Sequence, residues 1–382
     1  MAPSTTRSTH PMQSLRRGSS GTAVAELRRI LAGLGLLGNT NPATESVFDA
    51  ETELAVRHFQ QRRGISVDGL VGRETFDALN AARWRLGDRV IAHNASNIVI
   101  GDDVTDLQTQ LLELGYEVSR PDGIFGLRTA DALRAFQHEC GLVADGVCGP
   151  ATLRALRQLS GRVVGGRPQL LREQAAVSDS GPALFGKRLV LDPGHGGDDP
   201  GVYTPTVREA DLTWDLVARL EGRLQALGVR TWLTRGPNNG ATDDERAGFA
   251  NEVGADLLLS VHIDAAPSPR PNGIATYYYG AGESSSTIGE RLADLTQREL
   301  VARTGMLDGR SHAKSWSILR VTRMPAVRVE VGYLSSPADV ARLTDPTFRD
   351  VVAEGLLVAV QRLYLPSADD PPTGVMRIPA VA

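Results

Sequence analysis

The sequence predicts an α/β domain, a sheet covered by helices on both faces, preceded by two small three-helix domains. Three observations carry this reading. One apolar pattern occurs twice in the first half of the chain, a stretch without sustained period follows, and from Lys187 short apolar strands alternate with helices. The length of 382 residues suits two or three domains, and 41% hydrophobic with 23% charged residues supports a buried core. Forty-one basic against 45 acidic residues leave a formal charge of −4, which argues against a nucleic-acid partner. Two cysteines cannot build a disulfide framework.

Residues 1–21 carry scattered arginines and no apolar stretch, so they do not read as a secretory leader, and residues 1–14 read as a disordered start. No segment approaches the roughly 18 apolar residues of a spanning helix, so no membrane span is expected and the chain is placed in the cytoplasm. The repeat follows, over residues 15–80 and 97–158. Val24, Leu27, Leu31, Leu34 and Gly35 match Val104, Leu107, Leu111, Leu114 and Gly115 at an offset of 80. Phe48, Thr52, Phe59-Gln60, Asp68-Gly69, Gly72, Thr75 and Leu79 match Phe125, Thr129, Phe136-Gln137, Asp145-Gly146, Gly149, Thr152 and Leu156 at an offset of 77. The three-residue difference falls in the loop between the first and second helices.

Each unit reads as three helices. Val24 to Leu34 and Val104 to Leu114 have the three- and four-residue spacing of an amphipathic helix. Thr52 and Thr129 are placed as N-caps of the second helices, and Asp-Gly turns lead into short third helices. Cys140 and Cys148 flank the second of these turns and read as reduced packing residues. The ordered pattern of apolar helix, F-x-x-x-T, F-Q and D-G-x-x-G-x-x-T-x-x-x-L closely resembles the type 1 peptidoglycan-binding family. That resemblance implies a module that docks cell-wall glycan–peptide or serves as a protein-binding scaffold.

Residues 159–186, rich in glycine, proline, serine and charge, read as a linker, with a short helix conceivable at 170–176. The α/β region spans 187–365. Its strands are expected at Arg188 to Asp192, Val229 to Leu233, Asp256 to His262, Gly273 to Tyr279, Trp316 to Val321 and Ala326 to Val331. Leu212, Leu216, Leu220 and Leu224 make a four-spaced stripe on one helix, and further helices are expected near 244–253, 286–304 and 347–363.

Polar groups stand where such sheets bind ligands, at strand C-termini. His195 lies in a glycine-rich turn directly after a strand, and His262 ends the apolar run LLLSVHID. Glu330 lies in PAVRVEVGY, where Val327, Val329 and Val331 share the opposite face, so its carboxylate needs a partner or a task. Glu209 opens the leucine-striped helix, where an acidic first-turn residue also suits the helix dipole. Taken singly, His262 reads equally as a hydrogen-bonded strand-end histidine. Together, two histidines and a carboxylate make the ligand set of a catalytic zinc, with a second glutamate as general base.

The segment from Lys187 to about Leu363 looks like the type 3 family of N-acetylmuramoyl-L-alanine amidases. The shared motifs are DPGHGG at 192–197, Glu209 before an apolar helix, R-A-x-x-A-N at Arg246 to Asn251, SVHID at 260–264 and VEVGYLSSPAD at 329–339. The resemblance implies an amidase-type fold, a mixed sheet covered by helices. It implies His195, Glu209 and His262 as ligands of Zn2+ and Glu330 as the catalytic glutamate. The activity implied is hydrolysis of the amide between the lactyl group of N-acetylmuramic acid and L-alanine, in peptidoglycan or muropeptides. The chain departs from the family at Asp264, where Asn is frequent, and at Ser335-Ser336, where a Ser-Asn pair is common.

Two repeats, an amidase-like half and no export signal also resemble the narrower group of CwlM-type homologues. That resemblance implies a cytosolic, non-hydrolytic regulator of peptidoglycan precursor synthesis as the alternative function. Its partners would be the UDP-N-acetylglucosamine enolpyruvyl transferase and a Ser/Thr kinase. The tail, residues 366–382, is rich in proline and small residues and is expected to be disordered. Thr373 in it is a candidate phosphorylation site, and an incidental threonine in a frayed tail reads equally well.

Overall fold

The protein is described from a computed structural model covering residues 14–38, 46–94, 96, 98–118, 121–160, 175, 177, 179–281, 284–366 and 369–376. The start expected to be disordered, most of the linker, most of the helix expected at 170–176 and the end of the tail lie outside these residues. The chain divides into two compact units, residues 1–166 and 167–382.

The first unit holds the repeat. Helices α1 (Thr22–Gly33), α2 (Ala50–Arg63) and α3 (Arg73–Ala82) enclose one core that includes Val24, Leu31, Phe48, Val56 and Leu79. After strand β1 (Ile91–Ala92), helices α4 (Asp102–Glu113) and α5 (Leu127–Glu139), strand β2 (Val147–Cys148) and helix α6 (Pro150–Ser160) enclose the matching core. β1 and β2 pair antiparallel, with Ile91 opposite Cys148. Both cysteines are free thiols, and Cys148 is buried in this core.

Thr52 and Thr129 do not cap α2 and α5. The caps are Asp49, whose carboxylate accepts from the Thr52 N–H, and Gly126. Each threonine lies inside its helix, buried, where its hydroxyl accepts from a side chain of the preceding helix. Gln108 Nε2 donates to Thr129 at 3.1 Å, and Arg28, at the equivalent position of α1, donates to Thr52. The Gln108 pattern recurs. Gln137 Nε2 donates to Asp145 (2.8 Å), the Val147 carbonyl (3.0 Å) and Thr152 (3.0 Å), while its Oε1 accepts from the Gly146 N–H (2.8 Å). Gln60 makes the same four bonds with Asp68, Leu70, Thr75 and Gly69. Each Asp-Gly turn therefore has its backbone groups satisfied by one buried amide.

In the second unit a mixed sheet runs in the order β4–β3–β5–β9–β6–β7, with β8 also on β6. The strands are β3 (Arg188–Pro193), β4 (Arg230–Leu233), β5 (Leu257–Asp264), β6 (Ile274–Ala281), β7 (Ser284–Ser285), β8 (Asp308–Lys314) and β9 (Ala326–Tyr333). The β3–β4, β3–β5, β5–β9 and β6–β8 pairs are parallel, and β6 meets β9 and β7 antiparallel. Helices α7 (Glu209–Ala226), α8 (Asp243–Val253), α9 (Thr287–Thr304), α10 (Ser317–Arg320), α11 (Pro337–Thr344) and α12 (Pro346–Tyr364) complete it. Among the described residues, no helix is long and apolar enough to cross a membrane.

Strand alternation divides the sheet by face. Leu189, Leu191, Leu257, Leu259, Val261, Val327, Val329 and Val331 join one large core with residues of α7, α9 and α12. Val190, Leu258 and Ala326 point the other way, into a smaller core with Ala250, Ile318 and Leu319. Further along the same three strands, Asp192, Ser260, His262 and Glu330 continue this second row, buried and polar.

The expected strand at Trp316 to Val321 is instead α10. Ile318 and Leu319 are adjacent and both enter the same core, which one helical turn allows and a strand forbids. β8, with the polar sequence DGRSHAK, has no apolar alternation to announce it. The linker expected to reach residue 186 is part of the second unit by Val177. Leu184 is buried in the large core, and Lys187 Nζ donates to the Ser180 and Gly181 carbonyls. The tail expected to be disordered is packed over residues 369–376. Arg362 bonds Asp370 (2.6 and 3.0 Å) and the Thr373 hydroxyl (3.2 Å), Gly374 N–H donates to Glu299, and Arg303 donates to the Met376 carbonyl. Its proline-rich composition hides these ion pairs, whose partners lie in α9 and α12.

The glutamine hubs predict a specific weakness. Q137A should destabilise the first unit by about 2 kcal/mol, since it strands buried partners of four hydrogen bonds. Hydrogen exchange in α5 and α6 of the full chain, measured in urea, checks this, and unchanged protection would refute it.

Candidate metal centre and active site

The loop after β3 begins the site. Asp192 is the penultimate residue of the strand, completely buried, and its carboxylate accepts from Arg246 Nη1 (2.5 Å) and the Ser260 hydroxyl (2.5 Å). Arg246 goes on to bond the carbonyls of Pro193 (2.9 Å) and His195 (2.8 Å). Arg235 bonds the Pro193, Gly194 and Ala210 carbonyls at 2.7, 3.0 and 2.9 Å. Two arginines thus satisfy the carbonyls of a tight turn, in which His195 adopts a left-handed φ of 57°.

Glycine is required where this turn meets the other side chains. A methyl on Gly194 would collide with the His262 ring, and one on Gly201 with Glu209 and His195. Gly201 also has a left-handed φ of 67°.

Glu209 opens α7, its side chain 1% exposed. One oxygen accepts from His262 Nδ1 (2.9 Å) and the Ile263 N–H (2.9 Å), and the other from the Val202 N–H (2.9 Å), with His195 Nε2 at 3.3 Å. The ligand atoms of His195, Glu209 and His262 all lie within 4.8 Å of one another. His195 Nδ1 pairs with Asp199 at 2.7 Å, which directs Nε2 toward Glu209.

The electrostatics suit a cation. Burial, reinforced by Arg328 and other positive neighbours, pushes the His262 pKa well below the ordinary histidine value, so its ring is neutral and its lone pair available. Burial raises the Glu209 carboxyl to about 7, against the pull of His195 and the Ile263 N–H. Asp199 stays below the usual carboxylate range: its hydrogen bonds to His195 and the Gly201 N–H outweigh its partial burial. Two imidazoles and a carboxylate in a glycine-lined cradle are a donor set that fits zinc.

Glu330 sits across from His262 in the parallel β5–β9 register. Its Oε1 accepts from Arg328, and its Oε2 is buried with no hydrogen-bond partner among the described residues. Burial raises its pKa despite Arg328 beside it. A carboxylate with one oxygen held and one free can take and return a proton at that second oxygen.

The structure therefore brings together the four residues singled out in the sequence. Thr373 lies elsewhere, in the packed tail against Arg362. Sequence reasoning missed Asp192, Asp199 and Arg235 as supports, and Arg328 as the partner of Glu330. The signal for Arg328 is present in V-R-V-E-V, where period-2 alternation puts it on the Glu330 face. Asp264, a departure from the expected pattern, pairs with Tyr333 in the β5–β9 register, helps raise the Glu330 pKa, and accepts no bond from either candidate ligand histidine.

The sequence profile of the N-acetylmuramoyl-L-alanine amidases matches residues 189–362, and that of a putative peptidoglycan binding domain matches 20–79 and 100–156. N-acetylmuramoyl-L-alanine amidase CwlM of Mycobacterium tuberculosis is 48% identical over 373 residues, 94% of this chain and 92% of that protein. LytC of Bacillus subtilis, an amidase of the same name, is 26% identical over 265 residues, 69% of this chain and 51% of its own length. Among solved structures, the catalytic domain of the amidase CwlV from Bacillus (Paenibacillus) polymyxa var. colistinus is 28% identical, with a TM-score of 0.43 over 46% of this chain and 96% of that one. Nearly half of all positions are thus shared with one relative along almost the whole length, and the chain belongs to the N-acetylmuramoyl-L-alanine amidase family, with two peptidoglycan-binding domains ahead of its amidase domain.

Proposed function

We propose that the second unit is a zinc-dependent amidase that hydrolyses the amide between the lactyl group of N-acetylmuramic acid and L-alanine, in peptidoglycan or muropeptides. The supporting observation is the convergence of His195, Glu209 and His262 beside Glu330, whose second oxygen has no partner. These three residues would hold the metal. Zinc bound by such a set lowers the pKa of water toward ~7 and polarises a carbonyl.

The chain's own groups supply the rest. Glu330 Oε2 takes the proton of the attacking water and returns it to the departing L-alanine nitrogen, so the amine leaves neutral. Asp199 holds His195 in the tautomer whose Nε2 lone pair faces the centre. Arg235 and Arg246 hold the His195 loop so that the ring does not have to be ordered when a ligand arrives.

The reading is tested by incubating zinc-loaded full chain with purified muropeptide and detecting new L-alanine amino termini. Release is expected. No release from a chain that binds zinc stoichiometrically would overturn hydrolysis and leave the regulatory alternative, with the enolpyruvyl transferase as its target. Glu330→Gln should lower kcat about 1,000-fold while zinc content, measured by elemental analysis, stays at the wild-type level. His262→Ala should instead lose the metal, and Gly194→Ala should do the same because the added methyl displaces the His262 ring. Asp199→Asn should weaken zinc binding about 10- to 100-fold by calorimetric titration, and unchanged affinity would remove its orienting role.

A further inference from the structure

Arg328 stands two residues before Glu330 on β9, on the same face of the sheet. Its Nε and Nη2 both donate to one oxygen, Oε1 of Glu330, at 2.8 and 2.7 Å. Oε2 is left buried and without a partner among the described residues. The two oxygens of one carboxylate are therefore unequal, one held by two N–H groups and one free. A carboxylate gripped by two donors at a single oxygen cannot swing its other oxygen freely.

The guanidinium is itself held. Its Cζ lies 4.7 Å from the Trp316 ring centroid, a cation–π contact. Trp316 packs on Tyr277, with centroids 4.7 Å apart, and Tyr277 is the residue opposite Arg328 in the β6–β9 register. Asp243, at the start of α8, also faces Arg328. The chain from Tyr277 through Trp316 and Arg328 to Glu330 is thus a continuous support that touches none of the three metal-ligand side chains by hydrogen bond.

We propose that Arg328 is the positioning residue for Glu330, holding Oε1 so that Oε2 alone is presented to the reacting water and the leaving nitrogen. This rests on the amidase reading above. Among the described residues Arg328 makes no hydrogen bond to His195, Glu209 or His262, and it acts through the orientation of its neighbour. An arginine that merely neutralised a buried charge would matter for folding and not for turnover by the folded protein.

The experiment uses the zinc-loaded full chain and compares R328M, R328K, E330Q and R328M/E330Q. R328M is expected to lower kcat about 100-fold at unchanged KM with zinc still bound stoichiometrically, since misorientation of a reacting group costs about that much. R328K, whose ammonium still reaches one carboxylate oxygen, is expected to recover part of the loss, and it carries the test if R328M does not fold. The double variant should be no slower than E330Q alone, because the two residues act as one unit. In thermal melts R328M should lower Tm by on the order of 10 °C through an unpaired buried carboxylate, and adding E330Q should restore much of it.

Wild-type kcat in folded R328M, a kcat loss that Lys does not relieve, or losses that multiply in the double variant would each overturn the proposal. If the wild-type chain releases no L-alanine termini, the amidase reading fails, and the melts decide the clamp separately. Additive Tm shifts would then remove it, and coupled shifts would keep the Arg328–Glu330 contact.

Discussion

Asp192 and Arg246 meet at 2.5 Å with both side chains almost sealed from water, and the same guanidinium bonds the carbonyl of His195. A pair this buried adds little net stability over an apolar replacement, but removing one member leaves a charge that nothing neutralises. Its use here is geometric. Asp192 fixes Arg246 from the end of β3, Arg246 fixes the turn, and the turn sets where His195 projects. Arg235 secures the same turn from the far side and reaches the first turn of α7, which carries Glu209. Two of the three candidate ligands, His195 and Glu209, therefore depend on the two arginines that hold this turn, and the third, His262, is tied to them through Glu209.

The first unit solves a similar problem with neutral groups. Where the amidase domain uses arginines to satisfy the carbonyls of a tight turn, the repeats use a glutamine amide that offers both donors and an acceptor. Gln60, Gln108 and Gln137 each bond an aspartate, a backbone carbonyl, a threonine and a glycine N–H. At the fourth equivalent position Arg28 stands in place of glutamine and pairs with Asp49. The module is thus repeated at two scales, between the two domains and between successive turns.

Much of this was legible in the sequence, for reasons that differ by element. Buried parallel strands announce themselves by unbroken apolar runs, as in LLLSVHID, and α7 by its leucine stripe. His195, His262, Glu209 and Glu330 stood out because polar groups interrupted such runs or opened such a helix. β8 did not, because a strand whose side chains are mostly half-buried or exposed needs no apolar period. The strand expected at Trp316 failed because two adjacent buried residues look alike in a helix turn and in a short strand. Thr52 and Thr129 have cap chemistry, yet tertiary partners in the preceding helix claim their hydroxyls. The packed tail rests on Arg303, Arg362 and Glu299, far away in sequence and individually unremarkable.

In the β5–β9 ladder, Val261 faces Val329 and His262 faces Glu330, consecutive rungs pointing to opposite sides. A slip of a single residue would carry valines to the reaction side and the glutamate into the apolar interior. The chemistry therefore has no alignment of its own to maintain. Whatever keeps the valines dry also proofreads the distance between Glu330 and His262, so a misregistered chain would fail to fold before it could misfire.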